Sequence, residues 1–252
     1  VSATAPLPSQ TAESATAERP ATERRNPFPG PRPYERGDAP DFLGRAREIR
    51  ELRALIGGRG VVVVVGPSGC GKSSLLRAGV RPALEAAEYE VLPIARAGEA
   101  ARGRDALAGR GSVFERNVAS YLTTERDDEP GERDTPVDSP RESKQTQLLL
   151  RLLASRRRRR AEDGTPMPRV LIIDQFEELF TTHLDAWRDR VDVLRTILAA
   201  NDGAIETRMV LVLRAEYLSA FAALLARLGE ATSAQSRSVA YFHVERLTQD
   251  AA

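Results

Sequence analysis

Apolar residues in this chain form two patterns that alternate along it: unbroken runs and helical stripes. The runs Val61–Val65, Val170–Ile173 and Met209–Leu213 contain no polar residue. A strand with one wet face alternates apolar with polar, so a continuous run is the signature of a strand covered on both faces. These runs predict strands at 61–65, 170–174 and 208–214. Two weaker strands are expected at Glu90–Ala95, where Pro93 marks an edge or a bulge, and at Ser238–Val244, which is less uniformly apolar.

Between the runs, apolar residues recur at helical spacing. Ile49, Leu52 and Ile56 share one face of a helix expected from Arg45 to Ile56 and ended by Gly57 and Gly58. Trp187, Val191, Leu194 and Leu198 follow a capping arrangement at Thr182 and Asp185. Tyr217, Phe221, Leu224, Leu225 and Leu228 form a further stripe, closed by Gly229. These stripes read as core. Shorter helices are expected at Ser73–Ala78, Phe114–Leu122 and Thr146–Ala154. Gly79 and Pro82 are expected to interrupt the first of them, with a new helical turn starting at Pro82.

Strands alternating with helices predict an α/β fold: a five-stranded parallel sheet covered by helices on both faces. Ligands of such sheets bind at the carboxyl ends of the strands. The remaining stretches lack the apolar content for a core. Residues 1–25 read as a disordered tail. Residues 26–41, with Phe28 and Tyr34 among prolines, read as a strap or linker. The core then spans 42–252, with a charged, proline-broken flexible insertion at 123–143.

Composition narrows the chemistry. The 252 residues are 41% hydrophobic and carry a net charge of +1, so no global field points to nucleic acid or acidic membranes. One cysteine and two histidines leave no internal disulfide, no zinc-type cluster and little material for a histidine triad. No apolar run is long enough for a membrane span. The N-terminus lacks the basic-then-apolar order of a signal peptide, so a cytoplasmic protein is the simplest reading. The run Arg156–Arg160 raises nucleic-acid binding, but no aromatics interleave it and Glu162 and Asp163 follow at once.

The chemistry lies at the strand ends. Val61–Val65 runs into Gly66-Pro67-Ser68-Gly69-Cys70-Gly71-Lys72-Ser73-Ser74, which fits the phosphate-loop pattern Gly-x-x-x-x-Gly-Lys-Ser/Thr. The glycines let amide groups approach phosphate oxygens, Lys72 supplies a compact charge and Ser73 an oxygen for Mg2+. Only Lys72 and Lys144 are lysines among 37 basic residues. The chain therefore departs from arginine at the position where a point charge serves better than a planar fork. Asp174 ends its strand in a carboxylate suited to hold Mg2+ opposite Ser73. Glu177 and Glu178 offer a base for an attacking water, and Arg214 ends a third strand within reach of a γ-phosphate. Cys70 at the helix start is expected to be a reactive thiol.

Four segments together resemble the novel STAND NTPases of bacteria, signal-transduction ATPases related to the NACHT group. They are Asn26-Pro-Phe-Pro-Gly-Pro-Arg-Pro-Tyr34, Phe42-Leu-Gly-Arg45, Gly66 to Gly79, and Asp174-Gln-Phe-Glu-Glu-Leu-Phe180. The resemblance implies ATP and Mg2+ as ligands and an adenine pocket lined by Leu43, Gly44 and Arg45. It also implies phosphates held by Gly66–Ser74, metal at Ser73 and Asp174, a catalytic acid at Glu177 or Glu178, and a sensor at Arg214. It places the Arg214 strand between the phosphate-loop strand and the Asp174 strand. No guanine-reading Asn/Thr-Lys-x-Asp element is present, which favours ATP over GTP. The family core continues into a helical lid and a winged helix, whereas this sequence stops at Ala252, so a core without its lid is expected. The function expected is a slow ATP-hydrolysing signalling or assembly switch with a protein partner or self-association. The alternatives are a truncated, non-hydrolysing nucleotide-binding module and a nucleic-acid-dependent ATPase.

Overall fold

The computed structural model describes residues 30–100, 112–124, 148–185, 187–201, 206–229 and 239–247. The expected tail at 1–25, Phe28, and nearly all of the insertion at 123–143 lie outside them. The three uniformly apolar runs form the centre of the sheet: β1 (Val61–Gly66), β4 (Arg169–Asp174) and β5 (Thr207–Arg214). All pairing in the sheet is parallel, and β5 lies between β1 and β4. β6 (Val239–His243) pairs with the other side of β1.

The sheet has six strands, not the five expected, because Glu90–Ala95 does not form one strand. β2 (Glu90–Val91) pairs with the start of β4, and β3 (Ala95–Arg96) pairs with its end. Pro93 lies between them. It has no N–H to give to a ladder, so the chain leaves β4 and rejoins it.

Alternation across the strands supplies two cores. Val61, Val63 and Val65 align with Met209, Leu211 and Leu213, and with Leu171 and Ile173, to form one apolar face. That face is covered by α4 (Val113–Thr124), α5 (Leu148–Ser155), α7 (Trp187–Ala199) and α8 (Leu218–Gly229). Val62, Val64, Val170, Ile172, Val210 and Val212 form the opposite face, under α1 (Ala46–Gly58) and the helix after the phosphate loop. Each fully buried valine or leucine contributes roughly 1.5–3 kcal/mol by leaving water, and the polar residues of these strands are confined to their ends.

The helix after β1 is not interrupted at Gly79 or Pro82. It runs as α2 (Lys72–Ser74), a π-helical stretch (Leu75–Val80) and α3 (Arg81–Glu85). Pro82 falls at the junction where the π-helical stretch passes into α3. A Cβ at Gly79 would stand 2.7 Å from Ile49 Cδ1, so this glycine serves close packing against α1. Thr182 also departs from expectation. Its hydroxyl donates to the Glu178 carbonyl and closes α6 (Glu178–Thr181) instead of opening α7. No helix among the described residues is long and apolar enough to cross a membrane.

Candidate nucleotide site

Parallel pairing brings four strand ends to one edge of the sheet. Gly66 is level with Arg214, and Asp174 with Arg96. A cleft of about 360 Å³ opens there. Its walls include Ser68, Gly69, Gly71, Lys72, Ser73, Ser74, Asp174, Glu177 and Arg214, so the phosphate-loop residues and three of the predicted strand-end groups share one cavity. A wider depression of about 510 Å³ lies at the amino-terminal end of the strands, around Gly57–Gly60, Arg158 and Arg208. It contains none of the predicted phosphate-binding or metal-holding residues and lies at the end of the sheet where such folds do not bind ligands.

The loop is shaped from behind. Gly69 and Gly71 adopt φ of +73° and +91°, which L side chains rarely take. Arg45 is 4% exposed and donates from Nη2 to the Cys70 carbonyl at 2.9 Å and to the Glu245 carbonyl at 2.8 Å. Lys72 Nζ donates to the carbonyls of Gly66 and Pro67 at 2.7 and 2.8 Å. Cys70 is buried in the core under β1, a poor setting for the reactive thiol expected of it. Leu43 is highly exposed, and Leu43, Gly44 and Arg45 lie outside the cleft walls. The Arg45 guanidinium is committed to backbone carbonyls and to Glu48.

The segment after β4 separates its two glutamates. Gln175 takes φ +53°, a left-handed turn uncommon for a side-chain-bearing residue. Phe176 is fully buried against Phe221, and its N–H donates to the Val212 carbonyl. With Phe176 and Leu179 anchored in the core, Glu177 faces the cleft and Glu178 faces away. Glu177 Oε1 pairs with Arg214 Nε at 2.9 Å, and Oε2 accepts from the Arg214 N–H at 3.3 Å. Burial pushes the Glu177 carboxyl above its ordinary range, while its backbone bond, Arg214 and Lys72 pull it back. Glu178 instead pairs with Arg96 and accepts from the Gly98 N–H at 3.0 Å.

Asp174 is almost fully buried, with Oδ1 accepting from the Gln175 N–H at 2.9 Å and Oδ2 standing 3.6 Å from Arg77 Nη2. Ser73 and Asp174 line the same cleft with hard oxygens. No cluster of three or more His, Cys, Asp or Glu suited to a metal occurs among the described residues. This donor set fits Mg2+, which keeps waters and phosphate oxygens in its shell and needs only one or two protein oxygens.

Sequence reasoning gave no role to Pro31, Arg32, Pro33 or Arg77, which also line the cleft. The strap at 30–35 lies beside the loop helix. Its Tyr34 N–H donates to Ser74 Oγ at 3.2 Å and its Tyr34 ring meets Phe42 at 5.3 Å. Arg77 had one available signal, its position inside the segment that carries the resemblance. The arginine run is partly spent on structure. Arg156 donates to the Leu122 carbonyl and approaches Glu90 at 3.8 Å, and Arg158 pairs with Glu206.

A parallel sheet in this order, with a glycine-rich loop after β1 and a carboxylate ending β4, defines a P-loop NTPase. The chain belongs to the Novel STAND NTPase 1 family, whose model matches residues 27–250. Among solved structures it is similar to a Walker-type ATPase of Pyrococcus abyssi, with a TM-score of 0.55 and 17% identity over 87% of this chain. At that identity the likeness speaks to the fold, and the chain spans 58% of that protein's length. No curated protein matches the sequence.

Proposed function

We propose that this chain binds ATP with Mg2+ and hydrolyses it slowly, its nucleotide state serving as a signalling or assembly switch for a protein partner or for self-association. The observation that carries the reading is the cleft shared by Lys72, Ser73, Asp174, Glu177 and Arg214. In it the loop amides of Gly66–Ser74, Pro67 excepted, and the Lys72 ammonium receive the phosphates, and Ser73 and Asp174 would hold Mg2+, which would supply positive charge to the phosphates. Glu177 is the base that orients the attacking water, and its burial-raised affinity for a proton suits that task. Glu178, tied to Arg96 and Gly98, keeps the turn in place. Arg214 holds Glu177 until a γ-phosphate draws the guanidinium away, which would make hydrolysis dependent on phosphate contact. The absence of a guanine-reading element favours ATP, and the described part of the proline-rich strap, residues 30–41, contributes Pro31, Arg32 and Pro33 to the cleft walls.

A second reading, binding without turnover, is favoured by the same ion pair, because Arg214 occupies both Glu177 oxygens that would otherwise receive the water. The two are separated by following phosphate release with Mg2+ and ATP. Glu177→Gln is expected to keep nucleotide binding and lose release, whereas Glu178→Gln keeps both. Release from Glu177→Gln at the wild-type rate would refute the assignment, and binding without release in the wild type would favour the second reading.

A further inference from the structure

The Arg77 guanidinium is divided between two carboxylates from different parts of the chain. Nη1 donates to Glu35 Oε1 on the strap at 2.7 Å, and Nη2 stands 3.6 Å from Asp174 Oδ2. Its Nε is buried with no hydrogen-bond partner among the described residues. The two grips are unequal. The first is a charge-assisted hydrogen bond, while the second is an attraction beyond hydrogen-bond range. The fork has a fixed span, so it does not serve both carboxylates fully.

The strap's other attachments run to the same helical rod that carries Lys72 and Ser73. Tyr34 N–H reaches Ser74 Oγ, and Arg36 pairs with Glu85 at 2.9 Å. Seating the strap therefore narrows the cleft from the side of Pro31–Pro33. A divalent cation at Asp174 would neutralise that carboxylate and repel the guanidinium beside it. Glu35 would then be the carboxylate left to Arg77.

We propose that Arg77 is a positioning residue that couples cation binding at Asp174 to closure of the strap over the nucleotide. With the cation present, Arg77 gives itself wholly to Glu35 and the strap seats; without it, the grip is divided and the strap is looser. This rests on the reading of the cleft as a Mg-nucleotide site. An arginine serving packing alone would hold the strap equally in both conditions.

The test is hydrogen exchange of the strap, residues 31–42, in free protein, with ATP and EDTA, and with ATP and Mg2+, while a fluorescent ATP analogue reports binding on the same samples. In the wild type, adding Mg2+ to the ATP sample is expected to slow strap exchange by up to about threefold, the full worth of one partly exposed ion pair being the ceiling because the Arg77–Glu35 bond is already made. In Arg77→Gln that further slowing is lost. Glu35→Gln, an exposed change outside the cleft walls, is expected to lose it too, which covers the case in which Arg77→Gln folds poorly. Equal slowing by Mg2+ in the variants and the wild type would overturn the coupling. So would an unresponsive wild-type strap in protein that binds the analogue. Failure of the wild type to bind the analogue would instead overturn the reading of the cleft, and the coupling with it.

Discussion

Gly66→Ala is the perturbation whose effect the geometry constrains most tightly. A Cβ at Gly66 would stand 2.4 Å from the Val244 carbonyl oxygen and 2.8 Å from Cys70 Sγ, where ordinary contact begins at 3.4 Å. The sulfur can rotate away, but the carbonyl belongs to the chain leaving β6. That chain is pinned on both sides of the contact. The Val244 N–H donates to the Val65 carbonyl at 2.7 Å, and Arg45 holds the Glu245 carbonyl at 2.8 Å. Relieving an overlap of about 1 Å must therefore strain or unseat the end of β6. Overpacking costs about 1–3 kcal/mol and a weakened backbone bond about 1 kcal/mol, giving roughly 2–4 kcal/mol in all. For a domain of this size that lowers Tm by roughly 4–16 °C. Thermal unfolding followed by circular dichroism measures the shift, and amide exchange at Val244 locates it. Gly69→Ala is the control. Its Cβ meets nothing within 4 Å, but its φ of +73° imposes a local cost of about 1–2 kcal/mol that leaves β6 seated. An unchanged Tm in Gly66→Ala would refute the close-approach argument. Equal loss of Val244 protection in both variants would show that loop conformation, not contact with β6, is what this glycine supplies.

Lys72→Ala is expected to weaken ATP binding about ten- to a hundredfold, from the loss of roughly 1.5–3 kcal/mol of charged hydrogen bonding; calorimetric titration checks this, and unchanged affinity would remove Lys72 from the site. Glu115 is fully buried, accepting from the Ser112 N–H and the Thr196 hydroxyl, and burial pushes its carboxyl above the usual range. A folded-state value raised above the unfolded one gives stability present below the unfolded value of 4.5 and lost as pH rises through the folded one. Glu115→Gln should therefore be more stable than the wild type near pH 8, with the gain shrinking toward about pH 4.5; urea unfolding at both pH values tests this, and an equal gain at each would contradict it.

What was legible in the sequence follows from where the information is local. β1, β4 and β5 announce themselves because burial on both faces excludes polar residues, and their order follows from the family resemblance. β2 and β3 read as one strand because a two-residue ladder leaves no pattern of its own. The continuity of the helix through Gly79 and Pro82 was hidden for a different reason. A π-helical stretch absorbs what propensity reads as a break, and Gly79 answers to Ile49, a residue distant in sequence. At the site, Gly66–Ser74 and Asp174 are local patterns. The different settings of Glu177, in the cleft, and Glu178, paired with Arg96, depend on which way Phe176 enters the core, and Arg77 depends on a strap that sequence alone does not bring near Asp174.

The Arg45 guanidinium also has a consequence for the order of events during synthesis. It joins the carbonyl of Cys70 to that of Glu245, and the second partner lies 200 residues downstream of the arginine itself. At about 5–20 residues per second a ribosome takes roughly 10–40 s to reach that partner. For that interval the phosphate loop exists as sequence without its rear support, since β6 must dock before Arg45 closes its second bond. The nucleotide pocket thus becomes rigid only after a residue far downstream of its loop has been made. A nascent chain halted before Glu245 would carry every residue of the phosphate loop and still lack the brace that fixes its shape.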